Sequence, residues 1–167
     1  LHIGLREDAA RMARRNIDAV LGGNFDAVIT NGAGCGSTLK EYHELLEHDP
    51  VYSEKARRFV TLMKDITEFL GGLELNRNMG PVPFTVTYQD SCHLAHGQRV
   101  RIPPRKLLES IPGLKYKEMP LSDMCCGSAG SYNLDQPQIA TALGEQKARA
   151  IIATGATVLA SGNIGCL

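Results

Sequence analysis

Apolar residues recur at helical spacing in two stretches of the first half of the chain. The first stretch covers residues 5–21, and the second predicts one long amphipathic helix at about 54–70. Between them, the apolar run at residues 25–30 (FDAVIT) predicts a short buried strand, and the glycine-rich turn NGAGCGS follows it. A further helix is predicted to begin at Ser37 or Thr38, because a hydroxyl side chain at that position caps a helix.

The second half alternates strand-like and helix-like segments. It follows a linker at residues 71–83 that is rich in Gly, Asn and Pro and has little periodicity. We predict, in order, a strand at 84–88, a helix at 105–111, a strand at 114–119, a helix at 136–153 and a strand at 157–160. Such alternation is typical of an α/β fold with a mostly parallel sheet.

Two phrases in the chain are similar to each other. DAVITNGAGC, which ends at Cys35, and TVLASGNIGC, which ends at Cys166, both place a strand before a glycine turn and a cysteine. We therefore predict two pseudo-repeated α/β lobes, at residues 1–75 and 76–167. The chain lacks an initial Met and stops after a strand-like run, so we expect the first lobe to be truncated and the second to be cut at its C-terminus. We also expect residues 1–70 to form the less compact lobe.

The composition narrows the class of protein. Lys and Arg number 18, as do Asp and Glu, so the formal net charge is zero and argues against nucleic acid as a partner. No run reaches the roughly 18 apolar residues that cross a bilayer, and the charged N-terminus does not resemble a signal peptide. The five cysteines are odd in number and two are adjacent, which argues against a disulfide scaffold and predicts a reducing, cytoplasmic location.

Four of the cysteines stand in loops that follow the predicted strands. Cys92 follows the strand at 84–88, the pair Cys125-Cys126 follows the strand at 114–119, and Cys166 ends the chain's last strand-like segment. Because the loops after successive parallel strands gather along one edge of a sheet, four sulfurs from distant positions are expected to meet there. Thiolates are the ligands of iron–sulfur clusters, and four of them also suit zinc.

Interpretations of these cysteines other than metal binding stay open. A free cysteine is often a small buried hydrophobic residue, and a thiol–disulfide role is a further alternative, although no Cys-x-x-Cys is present. Glycines at Gly34, Gly127 and Gly165 favour a bulky ligand, since they let the backbone approach it closely. His93, beside Cys92, is either functional or a polar turn residue, and the basic run at 99–106 predicts a solvated loop or a docking patch.

The cysteine phrases resemble a known family, the cysteine-rich "CCG" domain of redox complexes. NGAGCGSTLKEY, YQDSCHLAHGQ and CCGSAGSYNL are most similar to the iron–sulfur subunits of bacterial glycolate oxidases, and the CCG-containing subunit of heterodisulfide reductase is a more distant relative. The resemblance implies a 4Fe–4S cluster of uncertain type, with the ligands Cys92, Cys125, Cys126 and Cys166. It places His93, Gly127 and Gly165 next to these ligands. Cys35 is the corresponding candidate in the truncated first lobe, where Thr38 occupies the position of a second cysteine.

The resemblance also implies a role. The chain would be an electron-transfer subunit of an oxidoreductase complex without independent catalysis, taking electrons from a flavin (FAD) subunit and passing them toward a quinone-type acceptor, peripheral to the inner membrane. Two alternatives stay open: a lactate-utilisation or heterodisulfide reductase-like complex, and a zinc-binding interaction module. We expect the four sulfurs to lie within roughly 4–7 Å of one another. We expect Cys35 to stand apart, related to them by pseudo-symmetry and not by contact.

Overall fold

The computed structural model describes residues 4–76, 78–128 and 130–166. The α/β prediction is confirmed: helices alternate with two small sheets, both entirely parallel. The first-lobe elements are α1 (Arg6–Leu21), β1 (Val28–Thr30), α2 (Ala33–Lys40), α3 (Tyr42–Leu45), α4 (Ser53–Leu62), β2 (Met63–Asp65) and α5 (Ile66–Leu70). Strand β1 pairs with β2, so that Val28 lies opposite Met63.

The long helix predicted at 54–70 is wrong, because strand β2 interrupts it after Leu62. Met63 and Asp65 are buried as β2 pairs with β1. The Asp65 side chain then caps α5 by accepting from the backbone N–H of Thr67 at 2.8 Å, and Glu68 accepts in return from the backbone N–H of Asp65. The apolar positions kept a helical period through the strand, so spacing alone could not reveal the break.

Helix α2 also begins earlier than predicted. It starts at Ala33 and not at Ser37 or Thr38, and Gly32 precedes it without a side-chain cap. The Ser37 hydroxyl instead donates to Glu41 one turn along the helix. Cys35 therefore lies in the first turn of α2 and not in a loop.

The second lobe matches the predicted order of elements. It contains β3 (Thr85–Gln89), a π-helical turn (His93–Gly97), α6 (Ile102–Glu109), β4 (Lys115–Lys117), α7 (Tyr132–Asp135), α8 (Pro137–Ala153), β5 (Val158–Ser161) and a 3₁₀ turn (Ile164–Cys166). The strand order is β4-β3-β5, with Val86 of β3 opposite both Tyr116 of β4 and Val158 of β5. The carboxyl ends of the three strands therefore share one edge.

Among the described residues, the larger hydrophobic core lies in the first lobe. It joins buried residues of α1, α3 and α4 and is completed by the stacked rings of Tyr42 and Phe59, whose centroids are 5.3 Å apart. The expectation that this lobe is the less compact one stays a prediction, although its core is well packed. Apolar side chains exposed by more than three-quarters occur instead in the second lobe, at Leu134, Ile152 and Ile164.

The two lobes contact each other. The Gln98 side chain donates to the Ala33 carbonyl at 3.0 Å, which joins the segment after the π-helical turn to α2. The lobe boundary predicted at residues 75–76 falls between α5 and β3 and stays a prediction. Among the described residues, no helix combines the length and apolar character that a membrane crossing requires.

Candidate functional site

The structure places the four predicted cysteines after the carboxyl ends of the three parallel strands. Cys92 stands between β3 and the π-helical turn, Cys125 and Cys126 follow β4, and Cys166 ends the 3₁₀ turn after β5. All four are free thiols of intermediate exposure. A π-helical turn is rare and is frequently found at functional sites, so its position directly after Cys92 sets this edge apart from the rest of the fold.

The thiols influence one another electrostatically. Burial raises the pKa of Cys92, and the neighbouring thiols of Cys125 and Cys126 raise it further. Burial also raises the pKa of Cys166 to about 11; the amide of Asn163 opposes this rise, while Cys126 and Cys92 add to it. Cys92, Cys125, Cys126 and Cys166 therefore share one electrostatic environment.

Two N–H donors point at cysteine sulfurs. The backbone N–H of Gly127 donates to Sγ of Cys125 at 3.3 Å, and the side-chain amide of Asn163 donates to Sγ of Cys166 at 3.4 Å. Gly127 reaches this position with φ of +89°, and a Cβ there would stand 2.3 Å from the Ala140 carbonyl oxygen. Only glycine fits between the sulfur and helix α8.

Polar groups near the thiols have spare hydrogen-bonding capacity. A cavity of about 400 Å³ opens beside Cys126 and Cys166. Within the described chain, the buried hydroxyls of Tyr88, Ser91 and Ser161 have no hydrogen-bond partner. Hydroxyls that adjoin the cysteine loops in this way are available to donate to the sulfurs of a bound cluster.

The described residues contain no group of three or more His, Cys, Asp or Glu side chains arranged to hold a single metal ion. A cluster needs a wider arrangement than a single ion, because each thiolate binds a different iron atom. The separation of roughly 4–7 Å between the sulfurs stays a prediction.

Cys35 is exposed and lies close to the second lobe. It lines a groove of about 630 Å³ together with His93, Asn163 and Gly165, which adjoin Cys92 and Cys166. The lobes pack together here, and the expectation that Cys35 is related to the other four cysteines by pseudo-symmetry and not by contact stays a prediction. Its role as a ligand stays a prediction.

A buried ion pair supports the loop that carries Cys92. Arg105 of α6 donates to both carboxylate oxygens of Asp90, at 2.9 and 2.7 Å, and also to Glu118 and to the Ser122 hydroxyl. The backbone N–H of Asp90 donates to the Ser122 carbonyl at 3.1 Å. Arg105 therefore joins the loop before Cys92 to the loop before Cys125. The hydrogen bonds from Arg105 also lower the pKa of Glu118.

A second, exposed arginine joins the π-helical turn after Cys92 to the loop before Cys125. Arg101 donates to Asp123 at 3.0 Å, to the Ala95 carbonyl and to the ring of His96, and it lowers the pKa of Asp123. The sequence interpretation of this basic run as a solvated loop or docking patch missed both arginines. Their partners lie far along the chain, so only the spacing of Asp90 and Asp123, each two residues before a cysteine, carried any signal.

Comparison with known proteins fixes the family. The model of the cysteine-rich domain called CCG matches residues 2–40 and 86–167, which is most of the chain. The chain belongs to the CCG cysteine-rich domain family. All four candidate cysteines of the second lobe, and Cys35 of the first, lie within the matched residues.

Individual relatives of this CCG chain carry several different names. It is 41% identical over 168 residues to a probable glycolate oxidase iron–sulfur subunit of Bacillus subtilis, covering 99% of this chain and 38% of that protein. It is 41% identical over 145 residues to a subunit of the fumarate reductase (CoM/CoB) of Methanothermobacter marburgensis, covering 87% and 26%. It is 29% identical over 165 residues to lactate utilization protein A of Halalkalibacterium halodurans, covering 98% and 67%.

Removing the Arg105 guanidinium should destabilise the CCG site strongly. Asp90 is 2% exposed, so Arg105→Ala leaves a buried carboxylate without its partner, and the free energy of unfolding should fall by about 3 kcal/mol or more. Urea unfolding followed by circular dichroism measures the change. Arg101→Ala is the matched control and should cost far less, because its partner Asp123 is solvated. Equal losses of unfolding free energy in Arg105→Ala and Arg101→Ala would show that the buried Asp90–Arg105 pair stabilises the fold no more than the exposed pair does.

Proposed function

We propose that this chain is the cluster-binding part of an electron-transfer iron–sulfur subunit in a 2-hydroxy-acid-oxidising complex of the glycolate oxidase type. The observation that carries the proposal is the gathering of four free thiols from three strand-end loops at one sheet edge, in a chain of the CCG family. The chain spans about two fifths of the length of its Bacillus subtilis relative, so the activity, substrate and partners of the whole complex are part of the proposal.

The residues present fit a 4Fe–4S cluster. Its ligands would be Cys92, Cys125, Cys126 and Cys166. The N–H donors of Gly127 and Asn163 already point at two of these sulfurs, and the Ser91 hydroxyl lacks a partner. When bound, such a cluster accepts and releases one electron at a time at a potential set by its surroundings.

The chain's own residues would bind the cluster and control its surroundings. Gly127 admits helix α8 close to the CCG loop, which holds the loop that carries Cys125 and Cys126 against the helix. Arg105 and Arg101 hold the Cys92 and Cys125 loops at fixed positions relative to each other. Fixed positions reduce the rearrangement that accompanies each electron transfer. His93 is exposed beside Cys92, and we propose that it contacts the ligand region without binding iron.

The oxidation itself would take place on a separate subunit. Removal of two electrons and two protons from glycolate gives glyoxylate, and a flavin such as FAD accepts the pair of electrons. The present subunit would pass those electrons singly to a quinone-type acceptor, which takes up two protons to become the quinol. We place the subunit in the cytoplasm, with its complex peripheral to the inner membrane.

A second candidate keeps the same module but changes the dehydrogenase. The fumarate reductase and lactate-utilisation relatives are similar to this chain over 145 and 165 residues. Chains similar to this one therefore occur in proteins named for different substrates. The substrate would be set by the partner subunit of each complex. A zinc-binding interaction module is the remaining alternative.

Anaerobic reconstitution of the full-length subunit with iron and sulfide tests the proposal. We expect iron and sulfide to be bound and a visible charge-transfer spectrum that bleaches with dithionite. Adding the flavin subunit and glycolate should bleach the same spectrum, and lactate in place of glycolate distinguishes the second candidate. Uptake of zinc without iron, measured by elemental analysis, would favour the interaction module and contradict the proposal.

A further inference from the structure

Lys147 is a buried cation next to the CCG loop. It lies on helix α8 and is 3% exposed, although lysine is almost never fully buried without a partner. Its ammonium donates to the backbone carbonyls of Leu121 and Ser122, at 2.7 and 3.1 Å. Two carbonyl acceptors fit an ammonium with three donors, so the side chain is held as a fixed positive charge.

The face of α8 that carries Lys147 packs along the CCG loop. Ala140 contacts Gly127, Gly144 lies against the Cys126 carbonyl, and Lys147 is the next position along the same face. The small residues at the first two positions allow the close approach. Lys147 then holds the carbonyl of Leu121, whose backbone lies in the left-handed region with φ of +57°. A non-glycine residue there is strained and must be held by its surroundings.

The carboxylates near Lys147 already have other partners. Asp90 is bound by Arg105 and Asp123 by Arg101, and in the described part of the chain no carboxylate lies within ion-pair distance of Lys147. Burial lowers the pKa of Lys147, and the groups that oppose this effect are first Cys126 and then Asp123, Asp90 and Cys125. The cysteines are thus the nearby groups without a cation of their own.

We infer that Lys147 is the counter-charge of the cluster and sets its reduction potential. This inference rests on the proposed function. Cluster binding makes the cysteines thiolates and brings negative charge beside a cation that otherwise has no ionic partner. Reduction adds one more negative charge to the cluster, so a fixed positive charge stabilises the reduced form more than the oxidised form. Lys147 therefore raises the midpoint potential and acts as a positioning residue for the CCG loop as well.

Redox titration of the reconstituted full-length subunit tests this role. Lys147→Met removes the charge and keeps most of the apolar volume, so its midpoint potential should fall. We expect at least a tenfold change in the ratio of reduced to oxidised cluster at a given potential, or about 59 mV for a one-electron couple. Lys147→Arg keeps the charge and should titrate close to the wild type. Lys117→Met is the matched control: Lys117 also donates to a backbone carbonyl, that of Thr154, but it is exposed.

The outcomes separate this inference from the proposed function. A redox-active wild-type cluster with an unchanged potential in Lys147→Met would overturn the role of Lys147 and leave the proposed function intact. A wild type that binds no iron would contradict the proposed function itself. If Lys147→Met fails to retain iron while Lys147→Arg retains it, the charge is required and the inference stands. If both lose iron and stay folded by circular dichroism, shape matters and not charge, and the inference fails.

Discussion

Replacing Cys125 and Cys126 together with alanine is expected to abolish the cluster of the second lobe and to stop electron delivery to the acceptor. Two adjacent thiolates are lost at once, and the two remaining cysteines cannot complete the ligand set. Reduction of the flavin by hydroxy acid should continue, since the flavin would sit on another subunit. The measurements are iron content, the visible spectrum and two half-reactions: flavin bleaching by glycolate, and quinone reduction by the complex.

The interpretation requires an intact complex, which size-exclusion chromatography must show first. Cys35→Ala is the control for loss of a cysteine, because Cys35 is exposed and belongs to the other lobe. It should leave the spectrum of the second-lobe cluster in place. Normal quinone reduction by an intact complex of the double variant would remove this site from the electron path.

Gly127→Ala is expected to destabilise the lobe by about 3 kcal/mol, from a left-handed backbone penalty of about 1–2 kcal/mol and an overpacking penalty of about 1–3 kcal/mol. Gly127 has φ of +89°, and its new Cβ would meet the Ala140 carbonyl oxygen at 2.3 Å, so loop and helix must separate. Since the same loop carries Cys125 and Cys126, the variant should also retain less iron after reconstitution. Thermal unfolding and iron analysis measure the two effects.

Gly130→Ala separates the backbone penalty from the overpacking penalty. Gly130 also has a positive φ, of +63°, but a Cβ there meets nothing within 4 Å. It should therefore carry only the backbone penalty and retain its iron. Equal destabilisation of the two variants would show that the contact between Gly127 and α8 is not critical.

Local patterns predicted much of this fold. The helices at 6–21 and 137–153 have clear apolar periodicity, and the alternation of strands with helices correctly gave a parallel sheet. From that sheet alone follows the meeting of Cys92 and Cys166 at one edge, because loops after parallel strands share an edge. The placement of these cysteine loops could therefore be predicted from the sequence, whereas the role of the cysteines as ligands stays a prediction.

Features that depend on distant partners were not accessible. Strand β2 exists because β1 offers it a hydrogen-bonding partner, and its three residues are too few to disturb a helical period. Arg105 and Lys147 resemble ordinary surface cations in the sequence. Their roles depend on the contact of Arg105 with Asp90 and of Lys147 with the Leu121 carbonyl. The groove that Cys35 shares with His93 and Asn163 could not be foreseen for the same reason, since the packing between lobes has no local signature.

The strand order also constrains when a cluster can be inserted. Central strand β3 pairs with β4 and with β5, and β5 follows both of its companions along the chain. Until β5 docks, Cys166 is absent from the edge, so the newly synthesised chain cannot offer the complete proposed ligand set before most of the lobe has left the ribosome. Contacts between residues so distant in sequence form slowly. If the four cysteines bind a cluster as proposed, its ligand set is complete only once β5 has docked, and the bound cluster would then act as a cross-link among three loops that keeps the sheet from reopening.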